Sequence, residues 1–447
     1  MWSLGVTMWE VPVDIAYMVL TMGEKPYGFD QSFILGIIEG KVTLDVPKKW
    51  EGTSMQRYVC AIFKKDIVDY SHPLMWALRN DDFETAKFLI EERANLEVGD
   101  HDNITTLMWA SRRCRTNTAK FLIENGANLE ARDDNGQTPL LWASNSTHWD
   151  EGIDTAKLLI EKRANLEAKD RDGGMTPLLR AVSNGLRNNA KLFIEKGANL
   201  EAKDHNGYTA LLWAIETETT DVAKLLIEKG ANIEAEDDRG ITPLILVSNT
   251  DATDVAKLLI EKGANIEAKD DCGQTPLMHT IIAFKPYIAE LLIEKGADLE
   301  AKDDQSMTAL IHACKDIGDP NTARMLIEKK ANLEVKDNYG KTPLMWASEG
   351  THGETWTLEL LVENGVSLKT KDNKGCTCLH WACSDGETDI AELLIKKGAN
   401  IFSKNDSGKT PLELAEERGR NHMVKLLKKH IALATKRNNN NTDCMND

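Results

Sequence analysis

The sequence predicts an all-α solenoid of stacked helix-turn-helix repeats with short β-hairpin loops, preceded by a small N-terminal helical segment. Three observations predict this fold. The chain has 447 residues, of which 42% are hydrophobic and 28% charged. This composition is typical of folded proteins, and the chain is too long to form a single compact core. A Thr-Pro-Leu string or a near copy recurs with a period close to 33 residues. Between these anchors a second block recurs, of the type Ala-Lys-Leu-Leu-Ile-Glu-Lys-Gly-Ala-Asn.

The anchor leucines define the repeat length. Seven of the ten intervals between them are 33 residues, and the other three are 38, 34 and 35 residues. We therefore expect about eleven units over residues 71–430. The anchors are Leu74, Leu107, Leu140, Leu178, Leu211, Leu244, Leu277, Leu310, Leu344, Leu379 and Leu412.

Each unit reads as two helices followed by a turn. Thr242 is suited to capping a first, inner helix, and Pro243 is tolerated in its first turn. Residues 253–262 place apolar side chains on one face of a second, outer helix, and Gly263 suits its left-handed cap. The polar stretch 267–273 contains a turn glycine, which predicts a tight hairpin leading into the next unit.

These residues resemble ankyrin repeats, a family whose unit begins with T-P-L-H-x-A and ends with G-A-D-x-N-A-x-D-x-x-G. The resemblance covers about four-fifths of the chain and implies stacked units whose concave face, formed by inner helices and hairpin tips, binds other proteins. The most regular departure is Asn-Leu/Ile-Glu where the family usually has Asp-x-Asn. It produces a series of glutamates: Glu97, Glu130, Glu167, Glu201, Glu234, Glu267, Glu300 and Glu334.

Residues 1–50 have neither the period nor the anchor. Their Trp2-Ser3-Leu4-Gly5 and Pro26-Tyr27 segments resemble the helical lobe of tyrosine-kinase-like protein kinases, where both are scaffold elements. The Gly-rich loop, the Lys, and the His-Arg-Asp and Asp-Phe-Gly segments of that family are absent. We therefore expect an incomplete kinase-lobe remnant over 1–50, a linker or helical cap over 51–70, and no enzyme activity, because phosphoryl transfer needs the missing elements.

Composition excludes several function classes. The net charge of −17 disfavours nucleic acid and anionic membranes as partners. The N-terminus lacks the basic flank and cleavage site of a secretory signal, and its apolar stretch 11–22 is shorter than the about 20 residues of a membrane span. Eight irregularly placed cysteines fit reduced thiols. The sequence therefore predicts a cytoplasmic protein, with the nucleus as the alternative compartment.

Two motifs suggest small-ligand chemistry, but repeat positions explain both. Cys376, Cys378, His380 and Cys383 are the ligand types of a zinc site, yet each occupies a position that the repeat already uses. Gly340-Lys341-Thr342 lacks the first glycine of a phosphate-binding loop, since Val335 stands there. We predict no metal, no cofactor and no catalytic residue.

Two further series recur once per unit. A tryptophan two residues after the anchor leucine lies about 200° from it on the inner helix. It is expected either to stack between neighbouring inner helices or to form the aromatic floor of a binding groove. Aspartates in the hairpins read as turn scaffolding. The tryptophans are Trp76, Trp109, Trp142, Trp213, Trp346 and Trp381, and the aspartates are Asp133, Asp170, Asp204, Asp237, Asp270 and Asp303.

Taken together, the sequence predicts a protein–protein interaction scaffold or adaptor, a monomer that binds a basic or mixed-charge protein. The alternative is a regulatory C-terminal fragment of an ankyrin-containing tyrosine-kinase-like kinase. A disordered Asn-rich tail is expected over 431–447. Partner recognition is assigned to tip residues that vary between units and to tryptophans beneath them: Asp134, Asn135, Trp142, His205, Asn206, Trp213, Asp238, Arg239, Asn338, Tyr339 and Trp346.

Overall fold

A computed structural model describes most of the chain beyond the first seventy residues. The described residues are 73–79, 83–91, 94–145, 152–315, 320–349 and 355–443. The expected kinase-lobe remnant and linker lie outside them. The described part divides into two compact units, with the boundary between Trp213 and Ala214.

Helices alternate between inner, odd-numbered members and outer, even-numbered members. In the first unit they are α1 (Pro73–Arg79), α2 (Phe83–Glu91), α3 (Thr106–Arg112), α4 (Thr116–Glu124), α5 (Pro139–Ser144), α6 (Gly152–Glu161), α7 (Pro177–Ser183) and α8 (Arg187–Glu195). The unit boundary falls within α9 (Ala210–Glu216).

The second unit continues the same alternation. Its helices are α10 (Thr220–Glu228), α11 (Pro243–Val247), α12 (Thr253–Glu261), α13 (Pro276–Ile282), α14 (Pro286–Glu294), α15 (Ala309–Cys314), α16 (Pro320–Glu328), α17 (Pro343–Ser348), α18 (Trp356–Glu363), α19 (Cys378–Asp385), α20 (Thr388–Lys396), α21 (Pro411–Glu417) and α22 (Asn421–Asp443).

Packing follows one rule in both units. Within a unit, an inner helix packs against the outer helix that follows it and against the next inner helix, as α3 does with α4 and α5. Outer helices also pack in sequence, as α4 does with α6 and α14 with α16. The fold is therefore the predicted all-α repeat solenoid. None of the described helices combines the length and the apolarity that crossing a membrane requires.

The start of the inner helix behaves as its sequence predicts. The Thr242 side chain accepts a hydrogen bond from the backbone N–H of Ile245, and Pro243 follows in the first turn. Ten of the anchor leucines are buried, Leu244 being 1% exposed. Leu412, in the last inner helix, is only half-buried. The anchor therefore forms the core between helix pairs, and it loses burial where the stack ends.

The connections between successive repeats are tight turns. No strand occurs in the described residues, where one isolated antiparallel bridge joins Gly99 to Thr105. A typical turn is closed by the backbone N–H of Asp337, which donates to Lys341 O at 3.1 Å. Gly340 has φ of 75°, and a Cβ there would lie 2.7 Å from the backbone nitrogen of Asn373 in the next turn. Glycine is needed here by both conformation and space.

The C-terminal helix is longer than expected. It extends to Asp443 and so covers most of the stretch for which disorder was predicted. Met423 and Leu427 are buried, and the helix packs against α20 and α21. Once this half is anchored, adding further turns costs less than nucleating a helix, which accounts for the extension into the asparagines.

Candidate functional site

An aspartate organises most of the described turns. Asp204 Oδ1 accepts the backbone N–H groups of Asn206 at 2.8 Å and Tyr208 at 2.9 Å. Its other carboxylate oxygen accepts the indole N–H of Trp213 at 2.9 Å. Equivalent buried aspartates are Asp133, Asp170, Asp237, Asp303, Asp337 and Asp372, and the equivalent Asp270 is half-buried. The carboxylate thus supplements the backbone bond that closes each of these turns, such as Asp204 N–H to Tyr208 O at 3.1 Å.

Four of the inner-helix tryptophans are held by this aspartate. Trp142, Trp346 and Trp381 donate their indole N–H to the aspartate nine residues earlier, at 2.9 to 3.0 Å. His279 and His312 take the same place, with Nε2 at 3.0 and 2.9 Å from the carboxylate. The tryptophan rings remain half-buried. Each ring is therefore fixed at its polar edge and stays partly exposed.

The recurrent glutamates connect one repeat to the next. Glu97 Oε1 accepts the backbone N–H of Asn128 at 2.8 Å, and the backbone N–H of Glu97 donates to Asn95 Oδ1 at 3.0 Å. The same carboxylate contact joins Glu234 to Asn265 at 2.8 Å. We call this series the glutamate ladder. It also includes Glu130, Glu167, Glu267, Glu300 and Glu334. These carboxylates are structural, since each accepts a backbone donor.

In the first unit, the tip residues that were predicted from the sequence are exposed. Asp134 and Asn135 lie at one turn, and His205 and Asn206 at another. Asp134 is partly engaged, because its Oδ1 accepts a hydrogen bond from Asn103 Nδ2 at 2.7 Å.

The tip residues of the second unit are exposed as well. Arg239 bends back to its own turn, with its guanidinium 3.1 Å from the Asp237 carboxylate. Asn338 Nδ2 donates to Asp304 O at 2.9 Å. Asp238 is exposed, and Tyr339 is 60% exposed. Asp238 and Tyr339 are therefore the tip residues least committed to the turn itself.

The family model for ankyrin repeats matches residues 74–170, 149–237, 232–303, 285–372 and 351–440. These segments cover most of the chain. The chain belongs to the ankyrin-repeat family. Ankyrin repeats generally mediate protein–protein interactions, which agrees with the exposed tips and half-buried tryptophans. No match to the chain was found among curated proteins.

One ankyrin turn contains a buried lysine. Lys341 Nζ lies 4.2 Å from the ring centre of Trp346 and 3.6 Å from that of Trp381. It also forms an ion pair with Glu349, whose pKa is raised by burial although the lysine lowers it. The Gly-Lys-Thr string therefore contributes a structural cation between two ankyrin inner helices.

The Cys/His cluster occupies ankyrin packing positions. Cys383 is fully buried, and burial raises the pKa of the Cys378 thiol to about 12. His380 Nδ1 accepts the backbone N–H of Thr377 at 3.1 Å, and its Nε2 lies 3.2 Å from Lys409 O. Within the described ranges, three groups that could act as metal ligands come together at the half-buried Asp100 and the exposed His101 and Asp102.

His380 predicts a pH dependence for the ankyrin array. Its contacts fit the neutral ring, with Nδ1 as acceptor and Nε2–H as donor, and burial lowers its pKa below the ordinary 6.5. The unfolded chain therefore binds this proton more tightly than the folded one. Stability should be lost as the pH falls through 6.5 toward the folded pKa.

The measurement is the unfolding temperature of full-length protein between about pH 7 and about pH 5. We expect His380→Gln to reduce the acid-induced drop relative to the parent protein. The exposed His422→Gln should retain the full drop. An equal drop in the parent and the His380 variant would contradict this assignment.

Sequence reasoning missed the bond between the turn aspartate and the inner helix of these ankyrin repeats. A signal was present, because the spacing of nine residues is the same for Asp133 and Trp142 as for Asp204 and Trp213. Histidine substitutes at the same spacing. A donor that recurs nine residues after an acceptor is evidence of contact within a repeat.

Proposed function

We propose that this chain is a protein–protein interaction scaffold or adaptor. The observation that carries the proposal is the surface formed in each unit by inner helices and turn tips, which we call the inner-helix surface. It combines half-buried tryptophans, held rigidly by buried aspartates, with exposed tip side chains that vary from turn to turn. Rigid aromatic side chains bordered by variable polar groups are typical of binding hot spots.

The tip residues supply recognition, and the tryptophans supply contact area. In the first unit the proposed contacts are Asp134, Asn135, His205 and Asn206, with Trp142 and Trp213 beneath them. In the second unit they are Asp238, Arg239, Asn338 and Tyr339, with Trp346. Asp238 and Tyr339 rank first among them, because both are exposed and neither side chain is used by its turn.

The partner is a protein with a basic or mixed-charge surface. The chain has a net charge of −17. Exposed acidic tip residues such as Asp134 and Asp238 make the electrostatic potential of the inner-helix surface more negative. Opposite charge accelerates association at low ionic strength, and salt screens that effect. We propose that the protein acts as a cytoplasmic monomer, with the nucleus as the alternative compartment.

The test uses a partner recovered by affinity capture on full-length protein. The double variant Asp238→Ala and Tyr339→Ala should weaken its binding by more than about fivefold, since hot-spot truncations exceed about 1 kcal/mol. Both side chains are exposed, so the unfolding free energy should change by no more than about 0.5 kcal/mol for each. Titration calorimetry and thermal unfolding measure the two quantities.

A matched control changes the opposite side of the same unit. Lys257→Ala and Glu261→Ala remove exposed side chains from the outer helix α12 without changing the net charge. This control should leave affinity unchanged. If the outer-helix variant abolished binding while the tip variant bound normally, the inner-helix surface would not be the binding site.

A second candidate function rests on residues 1–50. Their resemblance to the helical lobe of a tyrosine-kinase-like kinase favours a regulatory C-terminal fragment of an ankyrin-containing kinase. The genomic sequence upstream of Met1 discriminates the two proposals. An open frame with His-Arg-Asp and Asp-Phe-Gly segments would support the kinase fragment, and its absence would support the scaffold.

A further inference from the structure

The first unit contains an open cleft that carries positive charge in an acidic protein. It is lined by Arg79, Ile104, Trp109, Arg112 and Arg113. Arg79 and Arg112 lie in the last turns of the inner helices α1 and α3, and Arg113 follows α3 directly. The cleft is thus built from the ends of two consecutive inner helices, on elements that are part of the repeat stack.

In this cleft, Trp109 differs from Trp142, Trp213, Trp346 and Trp381 in its hydrogen bonding. Elsewhere the turn aspartate accepts the indole N–H, but the corresponding Asp100 Oδ2 pairs here with Arg79 at 2.7 Å. No acceptor for the indole N–H of Trp109 is present in the part of the chain that the structure describes. The half-buried ring therefore presents a donor to the cleft, with Ile104 supplying apolar surface beside it.

Two of the three arginines lack a carboxylate partner. Arg112 and Arg113 are exposed, and over the described ranges neither forms an ion pair. Arg112 lies over the Trp142 ring, 4.9 Å from its centre, so its guanidinium is held in place by a face contact that leaves its N–H edge available. In a chain with a net charge of −17, two uncompensated guanidiniums beside a free indole donor form a local anion site.

We propose that this cleft binds a carboxylate side chain in an acidic segment of a protein partner, with an adjacent apolar residue of that segment against Ile104 and Trp109. The inference rests on the proposed protein-binding function and adds a second recognition element to it. A carboxylate is favoured as the bound group because other arginines of this unit form ion pairs with carboxylates, Arg79 with Asp100 and Arg180 with Asp170. The planar guanidinium matches a carboxylate in two-point hydrogen bonding.

The test measures binding of a short fluorescein-labelled peptide with glutamates around a central leucine, by fluorescence anisotropy on the full-length chain. We expect saturable binding that the variant Arg112→Gln and Arg113→Gln weakens at least about tenfold, since charged hydrogen bonds carry most of the recognition. Both arginines are exposed, so thermal unfolding should stay unchanged. The same peptide with glutamine in place of glutamate should not bind.

Two controls separate the cleft from the overall charge and from a phosphate site. Lys120→Gln and Lys157→Gln remove the same charge from exposed outer-helix positions of this unit, and should leave peptide binding intact. Equal weakening by both variants would show that binding depends on the overall electrostatic field of the protein, and it would overturn the proposed cleft site. Stronger binding of a phosphoserine peptide than of the glutamate peptide would overturn the assignment to carboxylates.

The outcome is independent of the tip experiment. If the glutamate peptide failed to bind while a captured partner still lost affinity through Asp238 and Tyr339, the cleft inference would fall and the scaffold function would stand. If the peptide bound but the tip variant had no effect on any partner, the cleft would be retained and the inner-helix surface of the second unit would lose its role.

Discussion

Leu244→Ala is expected to lower the free energy of unfolding of the second unit by about 2 to 5 kcal/mol. Leu244 is 1% exposed, and it lies at the start of α11, which packs against α12 and α13. Truncation leaves a cavity that short, closely packed helices cannot close without moving their capped starts. Urea unfolding and hydrogen exchange along the second unit measure the effect.

Leu412→Ala is the matched control. Leu412 occupies the same anchor position, but it is half-buried in α21, near the end of the stack. Because less apolar surface is lost from the core, its cost should be clearly smaller. Equal destabilisation by the two variants would mean that burial between helix pairs is not what the anchor provides.

Asp204→Ala is expected to destabilise the first unit by about 2 to 4 kcal/mol, although it removes a side chain from a surface turn. The variant deprives two backbone N–H groups and the indole N–H of Trp213 of their acceptor. Unpaired donors at a buried site cost more than the loss of apolar area would suggest. Thermal unfolding gives the stability, and tryptophan fluorescence reports the release of the ring.

Asp204→Asn keeps part of this arrangement. Its amide oxygen can still accept the two backbone donors, as Asn405 does in the last turn for Ser407 and Lys409. Its amide NH₂ would then face the indole N–H, donor against donor. We expect an intermediate loss of stability. If the alanine variant were as stable as the parent protein, the turn carboxylate would not brace the fold.

The helix pairs were predictable because the sequence repeats the same short-range signals many times. Thr242, Pro243 and Leu244 act locally, as a cap, a first-turn residue and a core side chain. Local signals of this kind depend little on what lies further along the chain. Their recurrence close to every 33 residues then placed each inner and outer helix in order.

The contacts between repeats were harder to predict, because they join residues about one repeat apart through atoms that a pattern does not show. Glu234 was visible as a recurring departure from the family, but its acceptor role depends on the backbone N–H of Asn265. The position of Trp213 on its helix was predicted, whereas its bond to Asp204 was not. The indole N–H of Trp109 lacks the usual aspartate acceptor because Asp100 pairs with Arg79 instead. This change of hydrogen-bond partner is visible only in the structure.

The way in which the predicted hairpin loops are closed could not be read from the sequence pattern. A turn glycine and polar neighbours are compatible with both a two-stranded hairpin and a tight turn. The carboxylate of Asp337 decides between them, because its Oδ1 accepts the N–H groups of Tyr339 and Lys341 at 2.9 and 2.8 Å. The side chain thus adds two hydrogen bonds to the backbone bond from Asp337 N–H to Lys341 O, and the loop stays tight.

The glutamate ladder makes the repeats interchangeable at the level of the gene. Each rung joins a carboxylate to a backbone N–H, so the rung does not depend on the donor's side chain. Loss of residues 244–276 would bring Glu234 opposite Asp298, whose N–H now serves Glu267. Unequal recombination can therefore add or remove whole 33-residue units without redesigning a junction. Natural selection is then left to vary the tips, where new binding specificities can evolve one turn at a time.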